Sequence, residues 1–183
     1  DNDWGKNYTY KDSEGLVDKL LSYEGIDIAM ARNEKGQIVI KSKRGTALLE
    51  DKETGVIYTP LLNDPFGYNG IKDYLTYDEV LDLTFDTLYP DSLTQIVQIF
   101  KSARCGDIVI SAQTGYDLRR DFEIPEHKSS HGSLKSDHMH VPLIMNKKVP
   151  ISRIRTVDLF PTILDFLSLP CSTKIDGKKL DIY

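Results

Sequence analysis

This sequence predicts an α/β fold, on three observations. Leu93, Ile96, Val97 and Phe100 recur at the spacing of one helix face. Between Ile26 and Thr59, short apolar stretches alternate with turn-forming residues, the pattern of a small β-meander. Asp107 to Ala112 is a nearly continuous apolar run, as carried by a strand covered on both faces.

Taken in order, the first dozen residues, with Trp4, Tyr8 and Tyr10 among Asn, Lys and Asp, read as irregular. Ser13 suits a helix N-cap. Leu16, Val17, Leu20 and Leu21 follow at helical spacing, and Gly25 ends the helix. Ile26 to Ala31 and Ile38 to Lys41 are strands joined through Asn33-Glu34-Lys35-Gly36 as a hairpin. Gly45 to Leu49 and Val56 to Thr59 continue the meander, and Asp64 to Gly70 is a turn-rich loop. Tyr77 to Thr84 is helical, with acidic residues in its first turn. Asp91 caps the next helix, which Gly106 stops. Asp107 to Ala112 then reads as a core strand of the parallel-sheet kind. Val141 to Met145 reads as a short buried strand, and Thr156 to Leu169 as an amphipathic helix with Asp158 and Pro161 near its start. Asp176-Gly177 reads as an ordinary turn.

A chain of 183 residues can bury a substantial core. Its net charge of −5, with lysines and arginines scattered, argues against binding a nucleic-acid polymer, because no basic stripe with interleaved aromatics is present. No apolar run approaches the ~20 residues of a membrane helix, and no signal peptide opens the chain. The compartment stays open, inclining to the cytoplasm. Cys105 and Cys171 lie in no shared motif; buried free thiols are expected, with a disulfide as the alternative.

The chemistry concentrates in Ser130-His131-Gly132-Ser133-Leu134, followed by Asp137-His138-Met139 and Val141-Pro142-Leu143. All four histidines, His127, His131, His138 and His140, fall in this window. A neutral imidazole beside small residues can donate one nitrogen to a metal while an acceptor fixes the other. Zinc, however, requires four ligands, or three plus water. His127 and His131 have the i, i+4 spacing of helical ligands, yet Ser129, Ser130 and Gly132 disfavour a helix there. Solvent-facing and capping histidines would account for the same cluster. Asp117, Arg119 and Arg120 follow Gly115-Tyr116 where the apolar strand ends, at the edge where open α/β sheets bind ligands. A salt-bridged loop is the plainer account of these three. No phosphate-binding glycine loop is present. Ser129, Ser130 and Ser133 neighbour histidines, but adjacency in sequence does not make a triad.

From Tyr89 onward the chain resembles the C-terminal part of the alkaline phosphatase superfamily, in its type I phosphodiesterase/nucleotide pyrophosphatase branch. The residues that carry the resemblance begin with Tyr89-Pro90-Asp91, Arg104-Cys105-Gly106-Asp107-Ile108-Val109 and Gly115-Tyr116-Asp117-Leu118-Arg119. Ser130-His131-Gly132-Ser133, Met139-x-Val141-Pro142-Leu143, Arg155 to Thr162 and Ile175-Asp176-Gly177-Lys178 complete them. Glu24-Gly25-Ile26-Asp27 and Ser42-Lys43-Arg44-Gly45 look like the stretch before these motifs in bacterial members. The resemblance implies an α/β fold: the C-terminal part of an alkaline-phosphatase-like mixed sheet flanked by helices, with a small β-meander. Residues 1–75 would be a cap-like helix and meander, and residues 76–183 the C-terminal part of the phosphohydrolase core.

The resemblance further implies a site of two metal ions, zinc or alternatively manganese, whose last ligand in chain order is His131. Asp117, Arg119 and His127 fall on the substrate side, and a phosphate-ester small molecule is the implied substrate. The family's nucleophile and remaining ligands precede this region and have no counterpart here, so the chain is expected to be a C-terminal portion, inactive alone. Exposed surface left by the missing part would favour a dimer. The reading from another class is a non-catalytic binding or structural module that keeps the fold without the site.

Overall fold

The computed structural model describes residues 7–71, 73–118, 130–146, 153–172 and 174–181. Two compact units divide the chain, Asp1–His140 and Val141–Tyr183. The described residues form an α/β structure built on a six-stranded antiparallel sheet.

Helix α1 (Tyr10–Ser22) starts one turn before the expected Ser13. The N–H and hydroxyl of Thr9 both donate to Asp12 Oδ2, at 2.9 and 2.7 Å, and hold the first turn. Ser13 therefore lies inside the helix, where its hydroxyl donates back to the Thr9 carbonyl at 2.9 Å. Strands β1 (Ile26–Arg32) and β2 (Ile38–Ser42) pair as the expected hairpin. Asn33 makes the turn, its Oδ1 accepting from the N–H groups of Lys35 and Gln37, each at 3.0 Å. Strands β3 (Thr46–Lys52) and β4 (Gly55–Leu62) extend the meander, and the short β5 (Tyr74–Thr76) closes it.

Thr76 and Glu79 start helix α2 (Tyr77–Thr84) with a capping box: Glu79 N–H donates to Thr76 Oγ1 at 3.2 Å, and Thr76 N–H donates to Glu79 Oε2 at 2.9 Å. Helix α3 (Ser92–Lys101) follows Asp91, but Asp91 makes no side-chain cap bond. It sits in the left-handed region at φ 52°, and its carboxylate accepts from Gln95 Nε2 at 2.9 Å instead.

Strand β6 (Ile108–Ala112) corrects the expectation of a parallel strand and of a mixed sheet. It runs antiparallel to β1, and every ladder among the described residues is antiparallel, in the order β5-β4-β3-β2-β1-β6. The apolar run has another cause: both faces of β6 are covered. Ile108 and Ile110 pack with Val17, Leu21 and Ala29 under α1. Val109 joins the larger core on the opposite face, where Ile28, Met30, Ile40 and Tyr58 meet Leu93, Ile96, Val97 and Phe100 of α3.

In the second unit, Val141 to Met145 does not form the expected buried strand. No ladder reaches it among the described residues, and Val141 and Ile144 are 62% and 92% exposed. The expected helix from Thr156 is a 3-10 turn (Thr156–Asp158) followed by α5 (Leu159–Phe166), with Ser168 at φ 55° just beyond its end. Buried Asp158 organises this unit, accepting from Arg155 N–H at 3.0 Å and Lys178 N–H at 2.9 Å. Gly177 is more than a turn residue, because a Cβ there would lie 2.1 Å from the Val157 carbonyl oxygen. Both cysteines are free thiols, Cys105 half-buried and Cys171 exposed, so neither reaches the expected burial. No helix among the described residues is long and apolar enough to cross a membrane.

Candidate functional site

The C-terminal end of β6 opens into a cleft of about 210 Å³, walled by Tyr116, Asp117, His131, Gly132, Ser133 and His138. Two turns meet there, and each is fastened to the sheet. The first turn leaves β6 at Gln113, whose N–H donates to the Gly25 carbonyl at 2.9 Å, and passes through Gly115 at φ 88°. Tyr116 lays its ring over Gly25, where a Cβ would come within 2.8 Å of the ring. A bare glycine is what lets the tyrosine seat, and the seated tyrosine presents Asp117 to the cleft.

The second turn is the histidine loop. Its Ser133 hydroxyl donates to the Ala112 carbonyl at 3.1 Å, and Leu134 N–H donates to Ser111 Oγ at 3.1 Å. Thr114 Oγ1 donates to Asp137 Oδ2 at 3.3 Å, and Ser136 N–H donates to the Leu88 carbonyl at 2.9 Å. The one-turn helix α4 (Ser136–Met139) then carries His138 to the cleft wall. Ser133 N–H donates to His138 Nδ1 at 3.4 Å and sets the orientation of that ring.

The sequence-predicted residues separate into three groups. His131 and Asp117 line the same cleft although thirteen residues part them in sequence. His140 turns away, stacking on Phe85 at 4.6 Å between ring centroids. Arg119 and His127 lie outside the described residues, so their expected substrate-side placement is untouched by this geometry.

Beneath the cleft is a buried charge cluster that sequence reasoning missed. Asp27 lies at a break in the β1–β6 register, with its side chain only 1% exposed. Its Oδ1 accepts from Arg44 at 2.8 Å, and its Oδ2 accepts from the Tyr89 hydroxyl at 2.7 Å. Lys135, two residues after Ser133 in the histidine loop, reaches down so that its Nζ donates to Gln113 Oε1 and lies 4.0 Å from Asp27 Oδ2. Burial and the Asp27 carboxylate together push the Tyr89 phenol well above its usual range, keeping it a neutral donor. The available signal was one carboxylate in an otherwise apolar strand, Ile26-Asp27-Ile28-Ala29. Its partner Lys135 could not be read from sequence.

The described residues form no complete metal centre. No group of three or more His, Cys, Asp or Glu among them is placed to hold an ion. Zinc needs three or four donors. No family model, curated protein or solved structure matches the chain.

Proposed function

We propose that the chain is the C-terminal portion of a two-metal-dependent phosphohydrolase of the type I phosphodiesterase/nucleotide pyrophosphatase kind. On this reading, its sheet and helices are the C-terminal part of an alkaline-phosphatase-like fold. His131 is its one metal ligand, Asp117 lies on the substrate side with Arg119 and His127, and the chain alone hydrolyses nothing. The observation that carries the reading is the convergence of the Gly115 turn and the histidine loop on one cleft at the end of β6. A concave site with a few convergent polar groups is the usual setting for a small ligand. A pair of zinc or manganese ions would there stabilise the charge on the attacking and leaving oxygens of a phosphate ester. The chain's own part is to hold His131 on a loop whose hydrogen bonds reach the last residues of β6.

The test is hydrolysis of a nitrophenyl phosphodiester by the full-length polypeptide with zinc or manganese added. Replacement of His131 by Ala should cut the rate at least a hundredfold, the scale on which losing one strong electrostatic contact acts. An unchanged rate refutes the assignment. Phosphomonoesters and sulfate esters, run alongside, decide the substrate class, because fold alone does not. A non-catalytic binding or structural module is the second reading, favoured by the lack of a three-ligand group among the described residues. It predicts no metal-stimulated hydrolysis of any of these esters. Exposed Phe160, Phe166 and Ile144 in the second unit support the further proposal of a dimer, which a strictly monomeric sedimentation profile would refute.

A further inference from the structure

The cleft contains a second imidazole for which the metal-ligand reading has no role. His138 has one ring nitrogen already engaged, since its Nδ1 accepts the Ser133 main-chain N–H at 3.4 Å. A neutral imidazole that accepts at Nδ1 carries its proton on Nε2. The second nitrogen is then a donor with no lone pair to offer a cation. Among the described residues nothing pairs with that Nε2, although the ring lines the cleft.

The loop holds the ring in this orientation. The N–H groups of His138 and Met139 both donate to the Lys135 carbonyl at 2.9 Å, and Lys135 is tied through its side chain to Gln113 and Asp27. Ser133, which supplies the N–H to the ring, is itself fixed to β6 through its hydroxyl. Turning the imidazole over would leave the Ser133 N–H without this acceptor.

We propose that His138 is a substrate-binding residue that donates its Nε2–H to a non-bridging phosphoryl oxygen, and that it is not a second metal ligand. The proposal rests on the phosphohydrolase reading of the cleft given above. An N–H donor in a confined cleft is matched best by an anionic oxygen, because charge-assisted hydrogen bonds are the stronger kind. On the phosphohydrolase reading, that oxygen belongs to a phosphoryl group whose charge is shared with a cation at His131.

Long-range proton–nitrogen correlation spectra of the full-length polypeptide, which report each imidazole nitrogen separately, test this. The expected result is a His138 with Nδ1 bare and Nε2 protonated. Zinc should move the ring nitrogens of His131 and leave that pattern unchanged. Inorganic phosphate, added with and without zinc, should shift His138 Nε2 in the zinc-loaded sample. The opposite tautomer, a zinc-induced change at His138, or no phosphate shift in either sample overturns the proposal. Zinc that leaves His131 unmoved overturns the metal-ligand reading instead. The tautomer and the metal-free phosphate titration then still decide the role of His138. By phosphate titration, His138→Ala should weaken binding about tenfold, the scale of one charge-assisted hydrogen bond. His138→Gln, which keeps an N–H donor, should retain most of it. Equal loss in both variants overturns the donor role.

Discussion

Replacing Asp27 by Asn tests whether the histidine loop is held from beneath by charge. The substitution preserves shape and leaves one carbonyl oxygen to accept from Tyr89 or Arg44, so the change is close to removal of the charge alone. Its two cations respond differently. Arg44 is 40% exposed and keeps a bond to the Pro65 carbonyl at 2.7 Å, so its guanidinium can turn toward water. Lys135 is 11% exposed and cannot, which leaves a buried ammonium with Gln113 as its remaining acceptor. Breaking a buried pair by removing one partner costs roughly 3–5 kcal/mol, and Arg44's escape puts this case near about 3 kcal/mol. That is a large share of the ~5–15 kcal/mol that holds a domain together, and corresponds to a fall in Tm of about 10 °C. Urea denaturation followed by circular dichroism reads it as a lower midpoint at constant slope. Adding Lys135→Met should return about 2 kcal/mol, because the stranded ammonium is gone. A loss below about 1 kcal/mol for Asp27→Asn would refute the reasoning. So would a double variant whose effects add to within about 0.5 kcal/mol, since Asp27 and Lys135 would then not be coupled.

Gly177→Ala should displace the backbone from Val157 and with it the Lys178 and Leu180 N–H groups, which donate to Asp158 Oδ1 and Thr162 Oγ1, each at 2.9 Å. Hydrogen exchange at those two amides should accelerate by at least tenfold, and unchanged protection would refute the close-approach argument. At alkaline pH the sign follows from three phenols. Burial raises Tyr58, Tyr68 and Tyr89 above the ordinary value of 10.0, with the Asp64 and Asp27 carboxylates adding to the effect on Tyr58 and Tyr89. The unfolded phenols lose their protons first, so the stabilisation is complete below about pH 10 and declines above it, by up to ~1.4 kcal/mol per pH unit per tyrosine. Absorbance titration should show these three ionising together with loss of the circular dichroism signal. Their ionisation in a folded chain near pH 10 would count against their burial.

Local chemistry decided which parts of the fold were legible. The β1–β2 hairpin was readable because Asn33 satisfies two turn N–H groups with its own side chain, so the turn is determined within five residues. The start of α2 was readable because Asp78 and Glu79 fill its first turn, and Glu79 and Thr76 cap each other there. The start of α1 was misplaced because Ser13 and Thr9 are both competent caps, and only the answering Asp12 distinguishes them. Strand β6 was misjudged for a different reason. A continuous apolar run reports that both faces of a strand are covered, and cover by α1 on one side and the α3 core on the other produces it without any parallel neighbour.

The same distinction separates what could be seen of the site. His131 stood out because all four histidines fall in one window, and Asp117 because it follows the end of the apolar strand; the structure brings both to one cleft. The cluster beneath them follows no local rule. Asp27, Arg44, Tyr89 and Lys135 come from β1, the β2–β3 turn, the loop before α3 and the histidine loop, and no spacing in the sequence pairs them. Their juxtaposition exists only once the sheet has formed. A loop fastened to β6 through the Ser133 and Ser111 hydroxyls and to β1 by a buried ion pair must wait for both strands, so the histidine geometry should be acquired late in folding. Amide exchange at Leu134 and Lys135 should therefore respond to Asp27→Asn more strongly than exchange at Ala47 or Leu49 in the sheet centre. Uniform acceleration across all four would mean that the loop and sheet form as a single unit.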